Sequence, residues 1–494
     1  MQPILWTPAE LAHAVEGVWI RSPGVRWRPT SVRAQLPSRD NLPVSEHAIN
    51  FIYGESRLAS ALETLSGKRG GRGCLVLPSN LITAQVLERA ELPILACPPT
   101  ARPLADLARA ARARFSGRLV LVVGSVGKTT TRQMIAHALR EYGTVTANYG
   151  NLNLATHVYE ILASSSPNTG YVVAEMGLLR GANFAEAAMV LKPDVVVFTH
   201  LGLAHIDAVE KQEEDPDHLV EQILRKKAQA FQGLTRFGAA IVNEDMPLAS
   251  QASDIARKQT GRVTTFGRNP ESAFRLLDLT LSGTGSRISC QCRDRRYEFE
   301  IGTVGAAPAS NCMASLAAVD ALGLKLEPAI AALASFSGVE GRSQLRRYDY
   351  RTGSVWILDD SFNATPLSMR ACLDTLGKAA RFHSAGRRIA VLGDIRHLGP
   401  QSGELHAELS EAVAEARIDR LYTIGSETPS LQSAVPPAIR AGHYETREDL
   451  VSALLSDLRT GDMVAFKASS PLKFWELVRI VAQRIEQEEP ALAS

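Results

Sequence analysis

The feature that most constrains this fold is a glycine-rich turn between an apolar run and a helical segment. Residues 119–123 are all apolar, residues 124–128 have the composition of a turn, and residues 129–140 carry apolar side chains at helical spacing. In such a strand–turn–helix, the backbone N–H groups of the turn point toward one anion at the positive end of the helix. The segment therefore predicts a phosphate-binding loop in an α/β domain, with a chance glycine-rich turn as the alternative.

The residue types in this turn match the chemistry of a nucleoside triphosphate. Lys128 would neutralise the β and γ phosphates of ATP, and the hydroxyl of Thr129 would reach Mg²⁺. The turn is shorter than the common phosphate loop, because two residues rather than four separate its glycines. We therefore predict that the ATP site includes Gly124, Ser125, Val126, Gly127, Lys128, Thr129 and Thr130.

Apolar runs alternate with helical segments through the rest of the chain, and this alternation is typical of a parallel, doubly wound sheet. The central runs lie at residues 171–174, 195–198 and 239–242. Residues 275–301 form several short alternating segments, which predict an antiparallel insertion. A second doubly wound, Rossmann-like sheet is predicted from the runs at residues 355–358, 389–392, 421–424 and 463–466. Near the N-terminus, two apolar runs at residues 73–78 and 92–99 predict a small α/β domain.

Length, charge and composition indicate the number of domains and which kinds of partner the protein has. At roughly 150 residues per domain, 494 residues suggest three domains, which we place at residues 1–112, 113–338 and 339–494. The net charge of +2, from 54 basic and 52 acidic residues, argues against a nucleic-acid partner. We find no run of about 18 apolar residues and no basic-then-apolar N-terminal leader, so we expect a cytoplasmic protein without a membrane partner. Six scattered cysteines are expected to be free thiols.

The short loop Gly-x-x-Gly-Lys-Thr-Thr after a buried strand resembles that of the Mur ligases and their relatives, which include folylpolyglutamate and cyanophycin synthetases. Four later segments extend the resemblance. They are Gly-Asn-Leu-Asn at residues 150–153, Glu-Met-Gly at residues 175–177, the His at position 205, and a Lys-x-x-x-Phe spacing from Lys227 to Phe231. The resemblance implies a three-domain Mur ligase architecture with ATP and Mg²⁺.

The resemblance also implies roles for these residues. Asn151 and Asn153 are expected near the acyl substrate, and Lys128 and Arg342 at the transferred phosphate. The predicted metal ligands are Thr129, Glu175, His205 and Lys227, the last in a carbamylated form that is anionic. Alternatively, Glu175 is a solvated loop residue, His205 is a surface histidine, and Lys226–Lys227 is a solvated basic pair on a helix. The family's lysine could also correspond to Lys226, but the spacing to Phe231 favours Lys227.

Further matches predict how the nucleotide and substrates are held. Asn243 and Asn311 are expected near adenine, although Ala307 and Pro308 replace the His-Asn that usually precedes the latter. Residues 358–366, Leu-Asp-Asp-Ser-Phe-Asn-Ala-Thr-Pro, resemble the family's most specific string. In that string Asp360 would bind ribose and Asn363 would order the substrate loop. We expect His406 and Lys467 to contact substrate as well.

The segments that meet the two substrates depart from the family pattern. The departures are Leu154 and Thr156 on the acyl side, and Arg396-His397 and Ala468-Ser469-Ser470 on the amine side. We therefore predict an ATP-dependent ligase that forms an amide bond through an acyl phosphate, acting on a specialised carboxylate and an amino acid or peptide amine. The alternatives are a muramoyl-tripeptide D-alanyl-D-alanine ligase of peptidoglycan synthesis and a non-catalytic ATP-binding regulatory relative. A kinase or GTPase would leave residues 360–366 unexplained.

Overall fold

The computed structural model describes residues 5–25, 27–36, 42–68, 71–150, 152–178, 183–204, 216–383 and 386–487. These residues form three β-sheets of five, nine and six strands, each covered by helices. The calls made for Asn151 and His205 lie outside the described residues. The α/β fold with three sheets is as predicted, whereas the domain boundaries remain predictions.

The first sheet belongs to the N-terminal region and is mostly parallel. Its strands are β1 (Val18–Arg21), β2 (Ser31–Gln35), β3 (Ala48–Ile52), β4 (Cys74–Pro78) and β5 (Ile94–Cys97). The order is β1-β5-β4-β3-β2, with only β1 antiparallel to its neighbour. The helices are α1 (Pro8–Ala14), α2 (Glu55–Thr64), α3 (Ala84–Arg89) and α4 (Pro103–Arg114).

The second sheet carries the phosphate loop. Its strands are β6 (Arg118–Val123), β7 (Val145–Ala147), β8 (Tyr171–Glu175), β9 (Val195–Phe198), β10 (Ala239–Asn243), β11 (Val263–Gly267), β12 (Phe274–Ser282), β13 (Gly285–Cys292) and β14 (Arg295–Ile301). The helices are α5 (Lys128–Leu139), α6 (Ala155–Ser164), α7 (Phe184–Leu191), α8 (Pro216–Ala228), α9 (Ala249–Arg257), α10 (Ala306–Ala321) and α11 (Leu326–Ala334). The order is β14-β13-β12-β11-β10-β9-β6-β8-β7.

The third sheet is parallel except for one edge strand. Its strands are β15 (Gln344–Tyr350), β16 (Gly353–Asp359), β17 (Arg388–Gly393), β18 (Arg420–Ile424), β19 (Arg440–Tyr444) and β20 (Met463–Lys467), in the order β15-β16-β20-β17-β18-β19. Only β15 runs antiparallel to its neighbour. The helices are α12 (Pro366–Phe382), α13 (Ser402–Ala407), α14 (Leu409–Glu415), α15 (Pro429–Ala434), α16 (Arg447–Asp457) and α17 (Phe474–Gln487).

The continuous apolar runs exist because both faces of the central strands are buried. In β6, Leu119 and Leu121 pack into the hydrophobic core on one face, while Val120 and Val122 pack into the core on the other. Side chains alternate between the two faces of a strand, so a strand covered on both sides has no position for a polar residue. The polar residues of the site are therefore placed at the strand ends.

Most strand predictions are confirmed, and the exceptions have physical reasons. The runs at residues 195–198, 389–392 and 463–466 fall on β9, β17 and β20. The predicted insertion at residues 275–301 is the antiparallel extension β12–β14, which continues the central sheet. Strands β1, β2 and β3 were not predicted, because their sequences carry arginine, glutamine and asparagine among the apolar residues. Within the described ranges, no helix is long and apolar enough to cross a membrane.

The N-terminal sheet docks on the central domain through its edge strand β2. The hydroxyl of Ser164 accepts the Val32 N–H at 2.8 Å, and the carboxylate of Glu160 accepts the Ala34 N–H. Both acceptors lie on α6, and they satisfy alternate N–H groups that an exposed edge would leave unpaired. Trp6 donates its indole N–H to the Ala163 carbonyl at 2.8 Å beside them. The N-terminal sheet and the central domain also share one hydrophobic core.

We predict that Glu160 makes this junction sensitive to pH. Burial raises the pKa of Glu160 from 4.5 to about 7, although the Ala34 N–H and Arg33 lower it in part. A raised folded-state pKa means that its contribution to stability is full below about pH 4.5 and is lost as pH rises through about 7. Glu160→Gln keeps an acceptor for the Ala34 N–H without titrating. Relative to the wild type, the variant should gain up to about 3 kcal/mol between pH 5 and pH 8.

Urea unfolding at both pH values measures this difference. Glu63→Gln, at an exposed position of α2, is the control and should leave the pH dependence of the wild type unchanged. Parallel pH profiles for the wild type and Glu160→Gln would show that the junction does not titrate.

Candidate functional site

The phosphate loop connects β6 to α5, as predicted. Gly124 and Gly127 adopt φ values of +142° and +87°, in the left-handed region that favours glycine. A Cβ atom on Gly124 would lie 2.2 Å from the Thr199 hydroxyl, so the close approach of the chain after β9 also requires glycine. The Ser125 N–H donates to the His200 carbonyl at 2.7 Å. The loop is therefore fixed against the segment that follows β9.

Two lysines meet at one carbonyl oxygen of this loop. Lys128 Nζ donates to the Gly124 carbonyl at 3.0 Å and to the Ser125 carbonyl at 3.2 Å. Lys227 Nζ donates to the same Gly124 carbonyl at 2.9 Å from α8. Burial lowers the pKa of Lys128, which Glu175 opposes and Arg342 reinforces. Burial also holds the pKa of Lys227 well below 10.5, with Lys128 as a further cause.

Glu175, at the end of β8, is fully buried and joins three elements. Its Oε1 accepts from the Thr129 hydroxyl at 3.0 Å and from the Asn153 amide at 3.1 Å. Its Oε2 accepts from Arg132 Nε at 3.1 Å in a buried ion pair. The carboxylate therefore links the phosphate loop to the segment predicted to meet the acyl substrate.

Arg132 is a site residue that the sequence analysis missed. Its guanidinium also donates to the carbonyl of Asn148, and to the carbonyl of Gly150 at 2.8 Å. The available signal was its position four residues after Lys128, because that spacing puts both side chains on one face of α5.

Thr129 and Glu175 carry oxygen atoms of the kind that Mg²⁺ prefers as ligands. The Thr129 hydroxyl and Glu175 Oε1 lie 3.0 Å apart, as adjacent ligands at about 2.1 Å from an octahedral ion would. Both are hard oxygen ligands at the end of the phosphate loop. The described residues contain no cluster of three His, Cys, Asp or Glu side chains that would hold a metal alone, so these oxygens would need phosphate or water oxygens to complete the shell.

The third domain closes the other side of the cleft. Arg342 Nη2 donates to the Thr129 hydroxyl at 3.3 Å, and burial lowers the pKa of Arg342. Asp360 accepts from the Ser343 N–H at 3.1 Å and from the buried Lys467 Nζ at 2.5 Å. Lys467 also donates to the Asn363 carbonyl at 3.0 Å. The lysine therefore holds the two ends of the Asp360–Asn363 turn in place.

A cavity of about 440 Å³ lies between the central and third domains. Thirteen of the predicted residues line it: Ser125, Val126, Gly127, Lys128, Thr129, Thr130, Asn153, Asn243, Asn311, Arg342, Asp360, Asn363 and Lys467. Three further predicted residues lie behind this lining: Glu175 accepts from Thr129, Gly124 accepts from Lys128, and Lys227 donates to Gly124. The structure therefore brings most of the predicted set together at one cleft.

His406, which we predicted to contact substrate, lies away from the cavity in this structure. The ring is fully buried and does not line the cavity. Its Nε2 accepts the Ile395 N–H at 3.0 Å, and its Nδ1 lies 2.6 Å from the Ser402 carbonyl. The histidine therefore fixes the loop after β17, a structural contact that the motif alone did not distinguish from substrate binding.

The region expected for adenine also contains Asp245, which follows Asn243 by two residues in an Asn-x-Asp spacing that resembles the family's adenine-side segment. Asn243 donates to the Thr199 carbonyl at 2.6 Å, and its side-chain oxygen accepts the Asp245 N–H at 2.9 Å. The Asp245 carboxylate lines the cavity and accepts the Arg268 N–H at 2.8 and 2.9 Å. Asn311 accepts from the Thr131 hydroxyl at 3.2 Å.

Family comparisons agree with the geometry of this site. The family profile described as the Mur ligase middle domain matches residues 122–319, and that described as Mur ligase, glutamate ligase domain, matches residues 341–470. The chain belongs to the Mur ligase family. As predicted, it is an ATP-dependent ligase that joins an acid to an amino acid.

Similar proteins are named UDP-N-acetylmuramoyl-tripeptide–D-alanyl-D-alanine ligase. The one from Bacillus subtilis is 27% identical over 383 residues, which are 77% of this chain and 79% of that enzyme. The one from Escherichia coli is 26% identical over 371 residues, which are 74% of this chain and 76% of that enzyme.

Solved structures extend the likeness to the N-terminal region. MurF from Acinetobacter baumannii matches 97% of this chain and 99% of its own length, with a TM-score of 0.78 and 20% identity. MurF ligase from Thermotoga maritima in complex with ADP matches 93% of this chain and 99% of its own length, with a TM-score of 0.73 and 22% identity. At these identities the likeness shows a shared fold.

We predict that Gly127→Ala weakens ADP binding by at least about tenfold. The left-handed φ costs a side chain roughly 1–2 kcal/mol, or about tenfold in binding if the loop relaxes to another conformation. A Cβ atom would also lie 2.5 Å from the side-chain oxygen of Asn311. Gly323→Ala is the matched control, because Gly323 has φ +78° with nothing within 4 Å of the added Cβ. Calorimetric titration with ADP measures both variants, and equal affinities would contradict the prediction.

Proposed function

We propose that this chain forms an amide bond between a carboxylate and an amine at the expense of ATP, through an acyl phosphate. The observation that supports this most directly is the meeting of Lys128 and Arg342 at the phosphate loop, with Arg342 contributed by another domain. Positive groups gathered in a desolvated cleft stabilise charge that develops on a transferring phosphoryl group.

In this proposal the nucleotide lies along the cavity between the two domains. Its phosphates would accept hydrogen bonds from the backbone N–H groups of residues 124–130 other than that of Ser125, with Lys128 and Arg342 at the γ-phosphate. Asp360 would accept hydrogen bonds from the ribose hydroxyls, and Asn243 and Asn311 would lie beside adenine. The Thr129 hydroxyl and Glu175 would hold Mg²⁺, which supplies positive charge to the phosphates, and we extend this ligand set to His205 and Lys227.

The reaction then needs two transfers at one place. A carboxylate oxygen of the first substrate attacks the γ-phosphorus, and ADP leaves. The nitrogen of the amine attacks the acyl carbon, phosphate leaves, and the nitrogen loses a proton. Closure of the third domain would keep water away from the acyl phosphate, which water would otherwise hydrolyse.

Lys227 is proposed to act as a carbamate. Its low pKa, caused by burial, makes the neutral amine available, and a neutral amine adds CO₂ to give an anionic carbamate and a proton. The added negative charge would offset the repulsion between Lys227 and Lys128. It would also give the metal a further oxygen ligand.

We assign the carboxylate substrate to the N-terminal side and the amine to the C-terminal side. Residues 1–112 would bind the acyl substrate, residues 113–338 ATP, and residues 339–494 the amine. The names of the similar enzymes make UDP-N-acetylmuramoyl-tripeptide and D-alanyl-D-alanine one pair to test. The leucine at position 154 and Ser470, both lining the cavity, favour a different, specialised pair. Dependence on ATP and six free, buried cysteines support a cytoplasmic location.

The substrate test is a screen for phosphate release followed by mass analysis of the product. The screen contains the muropeptide pair, other carboxylic acids, amino acids and dipeptides. Lys128→Ala should lower the rate with any active pair by at least about 10²-fold, because it removes a charge from the phosphate loop. Binding of ATP without ligated product from any pair, together with a Lys128→Ala variant that changes nothing, would favour the regulatory relative.

The carbamate has its own test. We expect Lys227→Ala to be inactive and to regain part of its activity with added formate or acetate, because a small carboxylate replaces the carbamate charge. Lys226→Ala, one residue away on α8, should remain active and tests the register. Depletion of bicarbonate should slow the wild type but not the rescued variant. An active Lys227→Ala without added acid would refute the carbamate.

A further inference from the structure

The guanidinium of Arg342 lies on an aromatic pair. Its Cζ is 4.5 Å from the centroid of the Phe362 ring, and the Trp475 ring packs against Phe362. The Phe362 and Trp475 rings are 5.6 Å apart between centroids and inclined by 24°, which is a stacked geometry. We call Arg342, Phe362 and Trp475 the aromatic stack. It joins the start of the third domain, the Asp360–Asn363 turn and the first turn of α17.

The stack holds the arginine without using its hydrogen-bond donors. Its Nη2 makes a single 3.3 Å bond to the Thr129 hydroxyl, and its Nε is buried with no hydrogen-bond partner among the described residues. A carboxylate in the same place would fix the guanidinium but would occupy its donors and cancel its charge. Contact with a ring face fixes the plane of the group while its N–H edge remains available for phosphate oxygens.

Trp475 contributes to this arrangement through Phe362. Phe362 lines the cavity, whereas Trp475 does not. Phenylalanine has no polar group that could fix its ring, so the ring depends on packing. On its backbone side, Phe362 donates its N–H to the Gly341 carbonyl at 3.0 Å, and a Cβ atom on Gly341 would lie 3.1 Å from the Phe362 Cβ. These contacts involve only the backbone and the Cβ atom of Phe362, and the Trp475 ring packs against the Phe362 ring itself.

We propose that Phe362 and Trp475 are positioning residues that aim Arg342 at the γ-phosphate, and that the aromatic stack makes the enzyme bind ATP more tightly than ADP. This inference rests on the proposed function, because it assumes that the γ-phosphate lies beside Thr129. The γ-phosphate is the part of ATP that ADP lacks. Loss of the stack should therefore change the affinity for ATP while the affinity for ADP is kept.

The experiment compares the binding of ADP with that of a non-hydrolysable ATP analogue, by calorimetric titration of the full-length chain with Mg²⁺. Trp475→Leu and Phe362→Leu should each weaken binding of the analogue by about tenfold, which is in the range of a desolvated cation–π contact. Binding of ADP should weaken by less than about twofold. The ring-preserving variants Trp475→Phe and Phe362→Tyr should keep the wild-type ratio of the two affinities. Arg342→Lys should lose the preference for the ATP analogue over ADP. Adding Trp475→Leu to Arg342→Lys should not weaken binding of the analogue further.

Three results would overturn the proposal. The first is that Trp475→Leu weakens the binding of ADP and of the analogue equally. The second is that both leucine variants keep the wild-type ratio of the two affinities. The third is that the double variant loses as much affinity for the analogue as the two single variants lose together. If one leucine variant does not fold, the other gives the same comparison. Failure of the proposed function is a separate outcome, since the wild type would then form no ligated product even though the variants still differ in nucleotide preference.

Discussion

An excess of positive over negative charge among the described residues around the phosphate loop is the constraint on which the rest of the site depends. Burial lowers the pKa of Lys128, Arg132, Lys227 and Arg342, and Glu175 is the carboxylate that attracts three of them. Buried cations that repel one another cost free energy of folding unless an anion joins them. A triphosphate provides that anion. The same charges that destabilise the free cleft therefore favour the nucleotide and the negative charge of phosphoryl transfer.

The fold separates a rigid pair of domains from a third one. The N-terminal sheet and the central domain share a hydrophobic core, and α6 caps the edge of β2 with side-chain acceptors. The third domain has a core of its own on one face of its sheet, while the core on the other face also includes Leu219 and Val304 of the central domain. Its polar contact across the cleft includes the 3.3 Å bond from Arg342 to Thr129, which is long and easily exchanged for a phosphate oxygen. Movement of the third domain relative to the other two is therefore the expected mode of closure.

The central domain could be predicted from the sequence because its signals are local. The strand before Gly124, the left-handed glycines and the helix after Lys128 lie within one short segment. Glu175 and Lys227 could be placed only through their resemblance to known motifs, since 46 or more residues separate each from the loop residue that it contacts. His406 shows the limit of that procedure, because a motif gives the residue but not the direction of its ring. The strands of the N-terminal sheet were missed for another reason. Their polar residues, such as Asn50 with its buried bonds to backbone carbonyls, hide the apolar pattern.

Helix α6 connects the two places where we propose that the acyl substrate binds. It begins after Asn153, which donates to Glu175 beside the phosphate loop, and it ends at Ser164, which caps β2. Its 10 residues span about 15 Å, and a helix of that length is stiff. A substrate held by the N-terminal sheet would therefore have its carboxylate at a fixed distance from the γ-phosphate, whatever the third domain does. We therefore propose that the N-terminal sheet and the central domain fix the position of the carboxylate substrate, and that the third domain brings Arg342 and the amine to it on closure.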